Sequence, residues 1–277
     1  MPDKGGYGLF ARQEFAVGDF LIQEKPLFVQ SSAGWSTATT QEAAMVMADN
    51  QANVQIPLLP AAKRAAVMGL SDVHSAAPSP WGIARTNCIP TGDDSALFAL
   101  SARINHSCVP NARWLWRADL GCLVIIAMRP LKPGEEVTCE YIKRYAARAA
   151  RIQRLETQFH FTCACPLCVG PVDEAADERL ELVQSLIDEM PEACRRDHAH
   201  ALTLSERTLA LLVESGMDTP VAMGTCHYEA FQLARATGKK AEAMAHLEQA
   251  CGLTKLSDGV DSPLALKYAA LAAGLAR

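Results

Sequence analysis

Several features that would place this protein quickly are missing from its sequence. There is no uninterrupted apolar run of about 18 residues, the length a helix needs to cross a bilayer. Nor does a cationic N-terminal region lead into an apolar stretch and a cleavage site. A soluble, intracellular protein with no membrane partner is therefore expected. Net positive charge is missing too: 26 Lys and Arg against 31 Asp and Glu leave −5. A phosphate-backbone binder carries the opposite balance, so direct nucleic-acid binding is not expected. The deficit is uneven, with 16 basic and 14 acidic residues up to position 170 and 10 basic and 17 acidic after it. That acidic second part suits a basic partner. No Gly-x-Ser-x-Gly elbow accompanies any serine, so hydrolase chemistry has no signature here.

What is present is ample apolar material. A 49% hydrophobic content over 277 residues is enough for one large domain or two ordinary ones with real cores. Gly5 to Phe28 alternates turn-formers with short apolar runs, "GGYGLFA" and then "FLIQEKPLF" after Gly18-Asp19, which reads as strand, turn, strand. Ala, Met and Gln dominate from about Gly34 to Pro80. There "TTQEAAMVMADN" and "PAAKRAAVMGL" read as helices entered through Thr and Pro, a helical insertion in a β-rich domain. Strand character returns in "GCLVIIAMRPLKPGEEVTCEY", where Pro133-Gly134 marks a turn between Leu123–Met128 and Glu136–Tyr141. The run "KRYAARAARIQR" has helical spacing and reads as a solvated linker helix.

After Cys168 the strand signals fade. Leu180, Val183, Ile187 and Met190 recur at helical spacing, as do Leu202, Leu209, Leu212 and Val213. Thr219-Pro220 and Ser262-Pro263 read as helix starts, Gly216 and Gly238 as helix stops. Four or five Ala-rich antiparallel helices result, compatible with a tetratricopeptide-like stack although no exact 34-residue repeat is visible. The chain is thus α+β: a β-rich half broken by a helical insertion, then an all-α half. Segment boundaries fall at 1–33, 34–84, 85–145, 146–171 and 172–277.

Ten cysteines suggest metal more than disulfides in a reducing compartment. "FHFTCACPLC" supplies Cys163, Cys165 and Cys168 in one tight loop, and a structural zinc needs a fourth ligand. The candidates are Cys108, Cys139, His106 and His160, with Cys108 fixed beside Pro110 in a restricted turn. Cys88, Cys122, Cys139, Cys194, Cys226 and Cys251 lack metal spacing and read as buried thiols.

"RINHSCVPNA", then "GEEVTCEY", then a Cys-x-Cys-x-x-Cys cluster, with "GGYGLFA" upstream, resembles the SET-domain protein lysine methyltransferases. Within that family the chain is most similar to SMYD-like and fungal SET proteins. It departs from SMYD proteins in lacking the MYND zinc finger, since no second Cys/His cluster lies between Gly8 and the SET core. The resemblance implies a SET fold with a zinc-binding post-SET loop and a helical C-terminal domain. It implies that Gly6 and Gly8, around Tyr7, let backbone approach S-adenosylmethionine, glycine being the residue that permits such an approach. Asn105 and His106 would bind the cofactor, and Cys108 would complete the zinc site. Asn87, in "ARTNC", aligns with a cofactor-binding asparagine. Tyr141 stands where the family has its catalytic tyrosine, after Glu140 instead of Asp. Phe159 and Phe161 fall where aromatic walls surround adenine and the lysine channel.

The activity so implied is methyl transfer to a lysine ε-amine of a histone tail or another protein, by a monomeric enzyme of the cytoplasm or nucleus. The competing reading is a catalytically inactive SET-like adaptor that binds proteins through its C-terminal helices. The complete set of Gly6, Gly8, Asn105, His106 and Tyr141 argues for the enzyme.

Overall fold

The structure, a computed structural model, describes residues 7–33 and 40–275. Its first half holds short strands in three-stranded sheets. Strands β1 (Leu9–Phe10), β2 (Phe20–Glu24) and β3 (Phe28–Gln30) precede the insertion, and β4 (Ile89–Thr91) and β5 (Asp94–Leu97) follow it. Then come β6 (Asn105–His106), β7 (Ala112–Arg117), β8 (Cys122–Ala127) and β9 (Glu136–Cys139). The sheet orders are β1-β9-β6, β2-β8-β7 and β3-β5-β4, and only the β6–β9 pair is parallel. All six residues of β8, the apolar run CLVIIA, are buried, as expected for a central strand covered on both faces.

One local expectation is corrected, and a second is completed. "FLIQEKPLF" is two strands: Pro26 supplies no ladder N–H, and the side chain of Glu24, the last residue of β2, accepts hydrogen bonds from the backbone of Ala99, Leu100 and Ser101. Gly134 does turn the chain with φ 81°, yet β8 and β9 do not pair. Both edges of β8 are filled by β2 and β7, so β9 pairs with β1 and β6 instead.

The insertion contains α1 (Gln41–Gln55), α2 (Ala61–Met68) and α3 (Pro80–Asn87). Thr40 and Ser79 cap α1 and α3, accepting from the N–H groups of Ala43 and Gly82, while Pro60 opens α2. Ala52, Ile56, Val67 and Ile83 bury against Phe28 of β3 and Leu97 of β5, which fixes the insertion on the third sheet.

Helix α4 (Arg148–Phe159) joins the halves; Lys143 and Arg154 are exposed as a solvated linker requires, but one face of the helix is not solvated. Arg151 is fully buried and Arg144 nearly so. The helical half then runs through α5 (Glu174–Arg196), α6 (His198–Glu214), α7 (Pro220–Ala236), α8 (Lys240–Asp258) and α9 (Pro263–Leu275), each packed on the next. Gly216 and Gly238 follow α6 and α7 with φ of 65° and 77°, the left-handed conformation that lets a helix end tightly. Buried Ala201, Ala230, Ala234, Ala243 and Ala250 let the helices approach closely around Leu202, Leu212, Phe231 and Leu247.

The halves meet along β7 and β8. Val124, Ile126 and Met128 pack with Val221 of α7. Arg113 pairs with Asp258 at 2.9 Å, and the buried Arg117 pairs with Asp261 at 3.2 Å and Asp119 at 2.7 Å.

Candidate functional site

The corner built from "RINHSCVPNARW" is laid against β9. Asn105 and His106 pair in parallel with Thr138 and Cys139, and the Ser107 N–H donates to the Cys139 carbonyl at 3.1 Å. Asn111 stitches the far side: its Oδ1 accepts from the Thr138 N–H at 2.8 Å and its Nδ2 donates to the Glu136 carbonyl at 2.7 Å. The hydroxyl of Tyr141, just after β9, donates to the Ile104 carbonyl. The Tyr141 backbone N–H donates to Nδ1 of His106 at 3.0 Å.

These contacts form the wall of a cavity of about 1240 Å³, enough for more than one small-molecule-sized ligand. Tyr7, Asn87, Asn105, His106, Tyr141, Phe159 and Phe161 all line it. Gly6 lies outside the described residues. Gly8 is not in the wall; a Cβ there would come within 2.7 Å of Glu136 Oε1 and 3.0 Å of Asn105 Nδ2. Its missing side chain thus makes room for the 2.6 Å hydrogen bond from Asn105 to Glu136. Asn87 donates both amide hydrogens to backbone carbonyls, of Ser71 at 2.6 Å and Ile83 at 2.8 Å, so only its Oδ1 is left for a ligand.

Aromatic rings gather around Tyr141. Phe159 approaches it at 5.1 Å between centroids, and Trp114 stacks on it at 5.8 Å with an interplanar angle of 18°. Phe161 faces His106 at 6.2 Å. Trp114 is the residue sequence reasoning passed over, because a Trp on a strand reads as core; its place at the end of the same motif was the available signal. Arg103, whose guanidinium lies 5.5 Å from the Tyr7 ring, and Arg144, paired with Glu140 at 3.5 Å, also line the cavity.

Burial pushes the Tyr141 hydroxyl well above its ordinary pKa, with Cys139 and Glu136 adding to the shift. Tyr141 is therefore a neutral phenol at physiological pH. Its one proton goes to Ile104, so its oxygen can only accept from a ligand. Burial also raises Glu140, against the opposing pull of Arg144.

Beside this wall, Cys108, Cys163, Cys165 and Cys168 converge, all buried, with their sulfurs within 4.8 Å of one another. Cys108 and Cys168 Sγ lie 3.7 Å apart. Tetrahedral bonds of about 2.3 Å place zinc-bound sulfurs about 3.8 Å apart, so the four thiols could hold such an ion. Of the other candidate ligands, Cys139 lines the cavity and His160 packs edge-on against His74 at 5.6 Å. His106 places Nε2 3.3 Å from Cys108 Sγ. Because its Nδ1 accepts the Tyr141 N–H, the neutral ring carries its proton on Nε2 and donates it to that sulfur. Arg151 reaches the same loop from below, donating to the Leu167 carbonyl at 3.3 Å and pairing with Asp177 at 3.3 Å.

A family model described as "SET domain" matches residues 6–142. Over those residues the chain is similar to SET-domain proteins, among them protein-lysine methyltransferases of SMYD-like type. Human protein-lysine N-trimethyltransferase SMYD5 is 36% identical to this chain over 85 residues, 30% of this chain and 20% of that one. The histone-lysine N-methyltransferase set5 of Schizosaccharomyces pombe is 26% identical over 176 residues, 61% of this chain and 48% of that one. A putative SET domain-containing protein of Acanthamoeba polyphaga mimivirus is 32% identical over 99 residues, 36% and 38% respectively. The chain thus spans between a fifth and a half of the length of these relatives. The β-rich half with its insertion houses the SET domain, and the helical half follows it.

Proposed function

We propose that this protein is an S-adenosylmethionine-dependent protein-lysine N-methyltransferase. The observation that carries the reading is Tyr141: a neutral phenol, its hydrogen committed to Ile104, on the wall of a cavity shared with Asn105, His106 and Phe161. When bound, S-adenosylmethionine supplies an electrophilic methyl group. The chain's residues bind, orient and desolvate. Tyr7, Asn87, Asn105, His106 and Phe161 form the cofactor side; Gly8 acts from behind that wall by leaving room for Asn105, and Gly6 takes the cofactor-binding role that the resemblance implies. Phe159 and Trp114 flank Tyr141 on the lysine side.

A lysine amine near its ordinary pKa of 10.4 costs about 4.6 kcal/mol to neutralise at pH 7. Aromatic, water-poor walls reduce that cost by disfavouring the ammonium. The Tyr141 oxygen accepts from an amine N–H and so points the nitrogen lone pair away from itself. As a neutral phenol it takes no proton, which leaves solvent as the sink. Alignment of this kind supplies several kcal/mol with little acid–base machinery.

Cys108, Cys163, Cys165 and Cys168 hold one structural zinc, making residues 146–171 a post-SET segment that anchors Phe159 and Phe161 beside Cys108. The segments 1–33, 34–84, 85–145 and 172–277 serve as N-terminal SET part, insertion, SET core and tetratricopeptide-like domain. The substrate is a lysine-bearing basic segment such as a histone tail, met in the cytoplasm or nucleus by a monomer.

Isothermal titration of the zinc-loaded protein with S-adenosylmethionine is the test, followed by transfer of labelled methyl to histone peptides. Wild type binds in the micromolar range and Asn105→Ala at least tenfold more weakly at an unchanged Tm. Tyr141→Phe keeps cofactor affinity and loses about 10² in kcat, the scale for deleting one positioned polar group. A folded, zinc-loaded wild type that binds no cofactor would sink the proposal in favour of a non-catalytic adaptor.

A further inference from the structure

The helical half holds a second set of metal-competent side chains that the methyltransferase reading does not use. Glu242 and His246 stand four residues apart on α8 and so share a face. Glu206 projects from α6, and one ligand atom from each of the three lies within 4.8 Å of the others. From α7, His227 brings its Nδ1 to 3.0 Å from Nδ1 of His246. Two carboxylates this close repel unless a cation lies between them. Glu206 has no ion-pair partner among the described residues, and Glu242 has only Lys239, at 3.1 Å.

We propose that Glu206, Glu242 and His246 bind a divalent transition-metal ion at the surface of the helical half, with His227 orienting His246. His246 gives one ring nitrogen to the ion and meets His227 through Nδ1, so His227 stands where a carboxylate, carbonyl or water more often orients a ligating imidazole. Imidazole with two carboxylates suits zinc, cobalt or nickel better than calcium or magnesium, which take oxygen ligands alone. Three protein ligands leave coordination open to water. The ion ties α6 to α8 across α7. The site is independent of the cofactor cavity and of the four buried cysteines.

The test uses the full chain with its cysteine centre filled by zinc, titrated with cobalt(II) alone. The expected result is one cobalt per chain with the weak visible bands of nitrogen and oxygen ligands and no thiolate charge-transfer absorption, together with a rise in Tm. His246→Ala weakens binding at least 100-fold. Glu206→Gln, at an exposed position that leaves the fold intact, weakens it about tenfold. His227→Gln weakens it 10-fold to 100-fold, the range for an outer-shell partner. Lys239→Ala tightens it. No bound cobalt, thiolate absorption, or affinity unchanged in both His246→Ala and Glu206→Gln would overturn the proposal.

Discussion

In the SET half, the groups that touch are distant in sequence: Tyr141 with Ile104, Asn111 with Glu136, Cys108 with Cys168. In the helical half each helix packs on its neighbour in the chain, α5 on α6 through α8 on α9. The first half therefore depends on a few long-range anchors, each closing a long loop, whereas the second spreads its stability over many near-neighbour contacts. The chemistry lies where the anchors converge. Losing one should act on function before fold in the first half and on fold before function in the second.

The largest test of that contrast is removal of the cysteine centre. Cys163→Ser, or chelation of the zinc proposed there, should abolish cofactor binding, because Phe161 loses its anchor while the far-ultraviolet helical signal persists. Retained micromolar cofactor affinity in Cys163→Ser would erase the distinction. Next is Leu247→Ala, which empties a fully buried position of α8. It should cost about 2–5 kcal/mol in denaturant unfolding of the helical half, with cofactor affinity within twofold of wild type. A matching loss of cofactor affinity would show the halves to be one cooperative unit. Smallest is Asp177→Asn, which leaves Arg151 buried against carbonyls without its carboxylate. About 1–3 kcal/mol of stability should be lost, and Arg151→Met in the same background should recover part of it. No recovery would mean that Arg151 contributes more than its pairing.

The same division governs how much could be read in advance. Ordered motifs placed Tyr141, Asn105, His106 and the four cysteines, because those residue types carry their chemistry visibly, and the structure brings them to one corner. Helical periodicity and the glycine stops outlined α5 to α9. What was missed depends on partners that a linear pattern does not reveal. Arg151 looked solvated because its acceptors, Leu167 and Asp177, lie in the following loop and helix. The turn at Pro133-Gly134 was legible but the strand partners were not: β8 pairs with β2, about 100 residues upstream, and β9 with β1 and β6. His227 and His246 belong to different helices, so no short spacing links them.

The anchoring of Tyr141 also bears on which parts of the chain can change length. Everything between His106 and Cys139, including β7 and β8, leaves and re-enters through one fixed pair of residues. The entropy of such a closed excursion grows only with the logarithm of its length, so doubling it costs about 0.6 kcal/mol. The turn at Leu120-Gly121, where Gly121 has φ 59°, is the far end of that excursion. Extra residues grafted there would lengthen the arm while its base, with the phenol and its aromatic surround, stays in register, making this turn a place to add a binding loop.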